Sequence, residues 1–267
     1  MYVYPKSYQH RHFRRLNGGG MKKYKAVIFD LFDTLINFNR SRLPTADING
    51  VEIKSTSIEV YKVFQKFYKD VDFKDFYTAF TESYVEFEEN KRKDYREFHN
   101  RERFELMISK MNLQTIYHST ELIDEMVSVH MGKIANAMEF PEENRDTLNT
   151  LRNKYRLAII SNFDHAPTAY GILERFDIRD LFERIFISIE VGWRKPKANI
   201  FFSALNSLKI MPEEAVFVGD NFEADVVGSK SVGMDVVWIN KDREPIREGI
   251  SKPDYVVSRF ADVKNIL

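Results

Sequence analysis

Residues 26–34 read AVIFDLFDT, an apolar run that ends at a carboxylate. A short, wholly apolar run of this kind is typical of a strand buried on both faces of a parallel sheet. Asp30 would then stand at the carboxyl end of the strand, where open α/β sheets bind their ligands. The stretch therefore predicts a buried strand and a candidate functional carboxylate, although Asp33 and Thr34 fit equally well as caps of a following helix.

Further polar motifs follow other apolar runs, in the order Ser161-Asn162, Lys195-Pro196 and Gly219-Asp220, with Asp225 five residues after Asp220. Glycine lets the backbone turn tightly at a strand end, so that Asp220 can face a cation. Each motif alone also fits an ordinary loop or surface residue. Together they predict a shared pocket for an anion and for a hard metal ion such as Mg²⁺, which prefers oxygen ligands.

The pattern along the chain predicts an α/β protein with a Rossmann-like, doubly wound parallel sheet. After residue 141, short β-rich runs alternate with helical patterns, which is typical of βαβ units. The predicted elements are strands at 24–29, 156–161, 185–189, 215–218, 235–239 and 255–257 and helices at 144–154, 168–176, 198–208 and 224–232. Before them, apolar residues recur at helical spacing from 58 to about 140. The core is therefore expected to be split by a helical insertion at residues 40–138.

Three shorter segments of the chain also have recognisable patterns. An Asn-Gly pair inside residues 47–53 predicts a hairpin turn. The charged run 86–96 is expected to be a solvated helix face with pairing between residues four apart. Residues 1–20 carry only basic charges and end in three glycines, so we expect a flexible N-terminal extension before Met21.

Composition excludes several classes of protein. The 267 residues carry 40 basic and 40 acidic side chains, which argues against a nucleic-acid binder acting through bulk charge. Cysteine is absent, so disulfides, thiolate catalysis and zinc-thiolate sites are excluded. No apolar run approaches the roughly 20 residues that span a bilayer. We expect a cytoplasmic protein without a membrane partner.

The four motifs in this order resemble those of the haloacid dehalogenase (HAD) superfamily, in particular the subfamily with a helical cap inserted after the first motif. The resemblance covers about residues 23–267 and is most specific at 27–30, 191–196 and 218–228. It implies an α/β core formed by residues 21–39 and 139–267, with the cap at 40–138.

The resemblance also implies roles for the site residues. Asp30 would be the nucleophile that forms an aspartyl-phosphate. Asp30, Asp220, Asp225 and the backbone carbonyl of Phe32 would bind Mg²⁺. It also implies that the phosphate is bound by Ser161, Lys195, Thr34 and Asn162. Ser161 and Lys195 would assist catalysis, and Thr34 and Asn162 would order the loops.

One position departs from the family pattern. Phosphatases of this superfamily carry a second aspartate two residues after the nucleophile, which protonates the leaving group and later activates water, but here that residue is Phe32. Asp33 follows directly, and side chains alternate in direction along an extended chain, so we do not expect it to substitute. General acid–base help is typically worth roughly 10²–10⁴-fold in rate. The sequence therefore predicts slow turnover of ordinary alkyl phosphates.

Three functions remain open at this stage. A Mg²⁺-dependent phosphohydrolase acting on a small phosphorylated metabolite is favoured by Asp220 and Asp225. A 2-haloacid dehalogenase would also lack the second aspartate, because halide leaves without a proton, but that branch usually replaces the acidic fourth motif. A non-catalytic HAD-fold binding protein is the third reading, motivated by Phe32. The sequence identifies neither the substrate nor the oligomeric state.

Overall fold

The computed structural model describes residues 24–113, 119–246 and 251–267. The extension predicted at residues 1–20 and the predicted start at Met21 lie outside these ranges. The strands are β1 (Ala26–Phe29), β2 (Asn37–Phe38), β3 (Thr45–Ile48), β4 (Val51–Lys54), β5 (Met138–Glu139), β6 (Arg156–Ser161), β7 (Arg184–Ile187), β8 (Ala215–Gly219), β9 (Asp235–Ile239) and β10 (Tyr255–Val257).

The α-helices are α1 (Ser57–Phe64), α2 (Phe73–Asp94), α3 (Asn100–Lys110), α4 (Ser119–Asn136), α5 (Glu142–Arg152), α6 (Ala166–Arg175), α7 (Ser188–Val191), α8 (Ala198–Leu208) and α9 (Gly228–Ser231). A π-helical turn, Phe222–Val227, precedes α9. No helix in the described ranges is both long and apolar enough to cross a membrane.

A parallel sheet of six strands, in the order β10-β9-β8-β1-β6-β7, forms the centre of the molecule. Strand β1 lies between β6 and β8, and Phe29 stands opposite both Ile159 and Val218. This register brings Asp30, Asp220 and the residues after Ser161 to one edge of the sheet. The sheet confirms the predicted α/β fold class.

Both faces of β1 are covered, which explains why its sequence is apolar without alternation. Val27 and Phe29 belong to a core cluster that includes Leu148 of α5 and Leu173 of α6. Ala26 and Ile28 point to the opposite cluster, which contains Phe201 and neighbouring residues of α8. The strand is therefore fixed from both sides, and so is the position of Asp30 at its end.

The predicted helix at 224–232 is wrong in its first half, because residues 222–227 form the π-helical turn. Asn221 caps this turn through a bond from the Ala224 amide to its side chain. The wider turn returns the Asp225 side chain to the end of β8, where it accepts a hydrogen bond from the Asn221 amide. Turns of this type are often found at functional sites.

The region between β1 and β5 contains the predicted hairpin and helices. Asn49 and Gly50 join β3 to β4, both with positive φ, as a tight Asn-Gly turn requires. Helices α1 to α4 enclose a separate apolar cluster that is rich in aromatic side chains, including Phe64, Phe76 and Phe104. The exact domain limits at residues 40 and 138 stay a prediction.

Candidate active site

Three carboxylates converge at the carboxyl edge of the sheet. Asp30 follows β1, Asp220 follows β8, and Asp225 lies in the π-helical turn. One oxygen of each lies within 4.8 Å of an oxygen of each of the others. This is the acidic cluster that the sequence predicts at the first and fourth motifs.

Lys195 provides a positive charge inside this cluster. Its Nζ lies 2.6 Å from Oδ1 of Asp30 and 2.7 Å from Oδ1 of Asp225, and the residue is 3% exposed. Burial alone would lower the pKa of Lys195, but the carboxylates of Asp225 and Asp30 outweigh it and raise the pKa above its ordinary value. The side chain therefore stays charged between the two acids.

The remaining negative charge favours a metal ion. Burial, together with the charges of Asp30 and Asp225, raises the pKa of Asp220. Burial also raises the pKa of Asp225, although Lys195 opposes the effect. Three carboxylates against one lysine leave an excess of two negative charges when all are ionised. Clustered carboxylate oxygens with this excess fit a hard divalent cation such as Mg²⁺.

Thr34 contacts one of the three carboxylates. Its hydroxyl donates a hydrogen bond to Oδ1 of Asp220 at 3.1 Å. The Trp238 indole N–H donates to the backbone carbonyl of Asp220 at 2.8 Å. Both bonds fix Asp220 at the end of β8, and Trp238 is a contributor that the sequence reasoning missed.

Asn162 joins β6 to the lysine loop. Its side-chain oxygen accepts from the Lys195 amide at 2.7 Å, and its side-chain nitrogen donates to the Lys195 carbonyl at 3.0 Å. The reciprocal pair holds the backbone from which Lys195 reaches the carboxylates. In this structure Thr34 and Asn162 thus hold other site residues in place.

Ser161 is a buried residue whose hydroxyl group is unsatisfied. It is 1% exposed, and within the described part of the chain its hydroxyl has no hydrogen-bond partner. Leaving a buried hydroxyl unsatisfied costs about 1–3 kcal/mol. An acceptor oxygen of a bound anion would remove that cost, and phosphate binding by Ser161 stays a prediction.

Phe32 occupies the position two residues after Asp30 and packs against Phe163, with ring centroids 4.7 Å apart. The next residue, Asp33, is exposed and has a φ of 60°. Its Oδ1 accepts a hydrogen bond from the Phe38 amide at 3.0 Å. The Asp33 carboxylate is thus held toward β2, in agreement with the expectation that it does not replace the missing acid.

A cavity of about 290 Å³ lies between helices α2 to α4 and the loop that follows β6. Lys91, which the sequence reasoning placed on a solvated helix face, lines this cavity and is only 3% exposed. That expectation is wrong for Lys91, because its ammonium group lies 3.0 to 3.2 Å from carboxylates of Glu88, Glu97 and Asp164. Other parts of the run, such as Arg92 and Lys93, are exposed as expected.

Comparison with known proteins agrees with this geometry. Residues 24–233 match the family model for haloacid dehalogenase-like hydrolases. The chain therefore belongs to the haloacid dehalogenase-like hydrolases, a family of enzymes.

Individual relatives extend the comparison. The chain is 27% identical, over 92% of its length and 94% of the other, to a protein from Pyrococcus furiosus named glyceraldehyde 3-phosphate phosphatase. It is 34% identical, over 45% of its length and 53% of the other, to pyrimidine 5'-nucleotidase YjjG from Escherichia coli K12. A crystal structure of 2-haloacid dehalogenase from Pseudomonas syringae has the same fold, with a TM-score of 0.66 at 18% identity over 91% of this chain and 97% of that one.

Proposed function

We propose that this protein is a Mg²⁺-dependent phosphohydrolase that acts on a small phosphorylated metabolite through an aspartyl-phosphate intermediate. The single observation that carries the proposal is the arrangement of Asp30, which lies beside Lys195 and within the carboxylate cluster. A nucleophile that is paired with a cation and surrounded by metal-binding oxygens suits attack on a dianionic phosphate.

In the first step, the free oxygen of the Asp30 carboxylate attacks phosphorus. The bond from phosphorus to the ester oxygen breaks, and that oxygen leaves with its electron pair. In the second step, water attacks the phosphorus of the aspartyl-phosphate, inorganic phosphate is released and the Asp30 carboxylate is restored. Two smaller displacements replace a single difficult one.

The surrounding residues reduce the repulsion between nucleophile and phosphate. The Lys195 ammonium group contacts Oδ1 of Asp30, and from this position it can also contact a phosphate oxygen. The unpartnered Ser161 hydroxyl is available to donate a hydrogen bond to a second phosphate oxygen. Fixed donors of this kind act where charge develops and need little reorganisation.

Asp30, Asp220, Asp225 and the Phe32 carbonyl would hold Mg²⁺. The bound ion would supply positive charge that neutralises the phosphate oxygens during transfer. Thr34 and Trp238 keep Asp220 oriented for this role.

Phe32 shapes the specificity that we propose. A phenyl ring cannot give a proton to the departing oxygen, so the reaction depends on the stability of the leaving group. Acyl and aryl phosphates should therefore be better substrates than simple alkyl phosphates. The names of the Pyrococcus and Escherichia relatives support phosphate monoesters of small molecules as the class, and their different substrates leave the individual metabolite open.

The test is release of inorganic phosphate from acyl, aryl and sugar phosphates, with Mg²⁺ and with EDTA. We expect turnover that needs Mg²⁺ and that Asp30→Asn abolishes. Asp33→Asn is the matched control, because it also removes a carboxylate from this loop but one held toward Phe38. Absence of Mg²⁺-dependent release across the panel would contradict the proposal.

The second candidate is hydrolysis of 2-haloacids, which Phe32 favours because halide leaves without a proton. The assay is halide release from 2-chloropropionate in EDTA, and no release would retire this candidate. A third outcome, tight binding of a phosphorylated compound without turnover or a covalent intermediate, would instead indicate a binding protein.

A further inference from the structure

The cavity between α2 to α4 and the β6 loop adjoins the residues of the proposed phosphate site. Asn162, which holds the Lys195 backbone, and Phe163, which packs on Phe32, both line it. A phosphate monoester whose phosphorus faces Asp30 would extend the rest of its structure in this direction. The groups on the far wall should therefore determine which esters bind.

Most charges on this wall are paired with each other. Lys91 lies within 3.2 Å of carboxylates on Glu88, Glu97 and Asp164. Arg194 lies 3.5 Å from Glu88 and 4.0 Å from Glu97. These contacts use every carboxylate that lines the cavity.

Arg103 is different. It is 4% exposed and lines the cavity, yet within the described ranges no carboxylate contacts its guanidinium, and the charges of Asp164 and Glu88 act on it only from farther away. One terminal nitrogen contacts Nε2 of His130 at 3.3 Å, and the other donates to the Phe80 carbonyl at 3.2 Å. Its guanidinium also lies 4.3 Å from the centre of the Phe80 ring. A buried cation with no carboxylate in contact with it is costly, so this arrangement favours an anion from outside the chain.

His130 is itself arranged to hold the arginine. Because arginine has only donors, Nε2 of His130 must accept, which places the proton on Nδ1 facing the Thr56 hydroxyl at 2.7 Å. Burial, and then the Arg103 charge, lower the pKa of His130 well below its usual value. A neutral His130 adds no charge of its own, so the positive charge of Arg103 stays available to a ligand.

Two residues that line the cavity also carry polar atoms that lack partners. Asn100 Oδ1 and Arg103 Nε are buried and make no hydrogen bond within the described residues. Buried polar groups are nearly always satisfied, so orphans that share one cavity indicate a missing ligand. One of these atoms is a guanidinium donor and the other is an acceptor.

We propose that this cavity binds a second, anionic end of the substrate, a carboxylate held by the Arg103 guanidinium. The planar fork of arginine matches the two oxygens of a carboxylate better than any neutral group does. The substrate class is therefore a small phosphate monoester that carries a carboxylate away from the phosphate, with a hydroxyl or amine able to donate to Asn100. This inference rests on the proposed function, which places the phosphate at Asp30.

The first test uses the wild-type protein and matched pairs of substrates. A series of ω-carboxyalkyl phosphates of increasing chain length is compared with the corresponding neutral amides. We expect the acid to exceed its amide in kcat/KM by roughly 10- to 100-fold at the best length, as for a hydrogen bond to a charged group. Equal values for acid and amide at every length would overturn the inference.

Substitution of the arginine provides the second test. In Arg103→Met the acid-to-amide ratio should fall toward one, mainly through a higher KM for the acid, and Arg103→Lys should restore part of it. Arg101→Met is the matched control, because Arg101 lies on the same helix but pairs with Glu105 and Asp124. An unchanged ratio in Arg103→Met, in protein shown to be folded by circular dichroism, would contradict the assignment.

A binding measurement separates this inference from the proposed function. Calorimetric titration of Asp30→Asn with the same acids and amides in Mg²⁺ needs no turnover. Tighter binding of the acids that is lost with Arg103→Met supports the carboxylate site even if no phosphate is released. Phosphate release with equal binding of acids and amides would retain the phosphohydrolase and reject the carboxylate site.

Discussion

The ring of Phe32 lies against the ring of Phe163, with centroids 4.7 Å apart and planes inclined at 46°. Phe163 also packs against the aromatic cluster of helices α1 to α4. The position two residues after Asp30 is therefore part of an apolar contact between the sheet edge and helices α1 to α4. An aspartate there would have to lie beside an aromatic ring, which raises the pKa of a carboxyl group.

Restoring the acid should change specificity. In Phe32→Asp we expect kcat/KM for alkyl phosphates, which reports the first step, to rise by up to about 100-fold, because the departing oxygen can now receive a proton. Aryl phosphates, whose leaving groups need little protonation, should gain much less. Steady-state kinetics on one alkyl and one aryl ester measure the ratio. Phe32→Asn is the control, and an equal gain in both variants would contradict the explanation.

Mg²⁺ should stabilise the folded protein without any substrate. An ion that binds only the native state adds about 2.7 kcal/mol at a concentration of 100 times its Kd. We expect a rise in Tm with Mg²⁺ that is largely lost in Asp220→Asn, since that carboxylate belongs to the cluster. Thermal denaturation at constant ionic strength measures this shift in Tm. An equal rise in the variant would show that the ion binds elsewhere.

Gly219 leaves room for Asp225. A Cβ at residue 219 would lie 2.7 Å from the Cβ of Asp225 and still closer to its carboxylate. We expect Gly219→Ala to lower the free energy of unfolding by about 1–3 kcal/mol through overpacking. It should also weaken Mg²⁺ stabilisation, because Asp225 must move.

The matched control for that substitution is Gly171→Ala in α6. No atom lies within 4 Å of the Cβ that it adds, so the change should stabilise the helix by about 0.5–1 kcal/mol. Urea denaturation of both variants measures the difference. Equal effects at the two glycines would refute the steric explanation.

His130 should make stability depend on pH. Its pKa in the folded state is lowered well below 6.5, so below pH 6.5 the unfolded chain binds a proton that the folded protein does not. The contribution of His130 to the free energy of unfolding should therefore decrease as pH falls below 6.5, by up to about 1.4 kcal/mol per pH unit for one proton, while the raised pKa values of Asp220 and Asp225 act in the opposite direction. His165, whose pKa is also lowered by burial, adds to the slope.

Comparison of wild type with His130→Gln isolates the contribution of His130. The glutamine amide oxygen can still accept from Arg103, so the variant removes the titration while keeping an acceptor. Urea denaturation between pH 5 and 8 should give a smaller slope in the variant. An unchanged slope would assign the whole effect to His165 and other groups.

The sheet and the acidic cluster were predictable because their residues are adjacent to uniform apolar runs. The run before Asp30 is buried on both faces, and the motifs at Ser161 and Gly219 follow strands of the same sheet. Parallel strand ends share an edge, so the three-dimensional cluster follows from the order of the motifs.

The cavity was harder to predict, because its charged residues look like surface residues in the sequence. Lys91 continues the helical spacing of Phe80 and Phe87 along the buried face of α2, which was the available signal. Arg103 likewise precedes Phe104 on the buried face of α3. Their partners are distant in sequence, as in the contact of Lys91 with Asp164, so charge patterning within one helix could not identify them.

The central claim is that Asp30 becomes phosphorylated during turnover. The most direct measurement is rapid acid quenching during turnover, then borohydride reduction, which converts an aspartyl-phosphate to homoserine, and mass spectrometry of the peptide that contains residue 30. We predict homoserine at position 30 only when both Mg²⁺ and the phosphate ester are present. Phosphate release at full rate with residue 30 always recovered as aspartate would contradict the account.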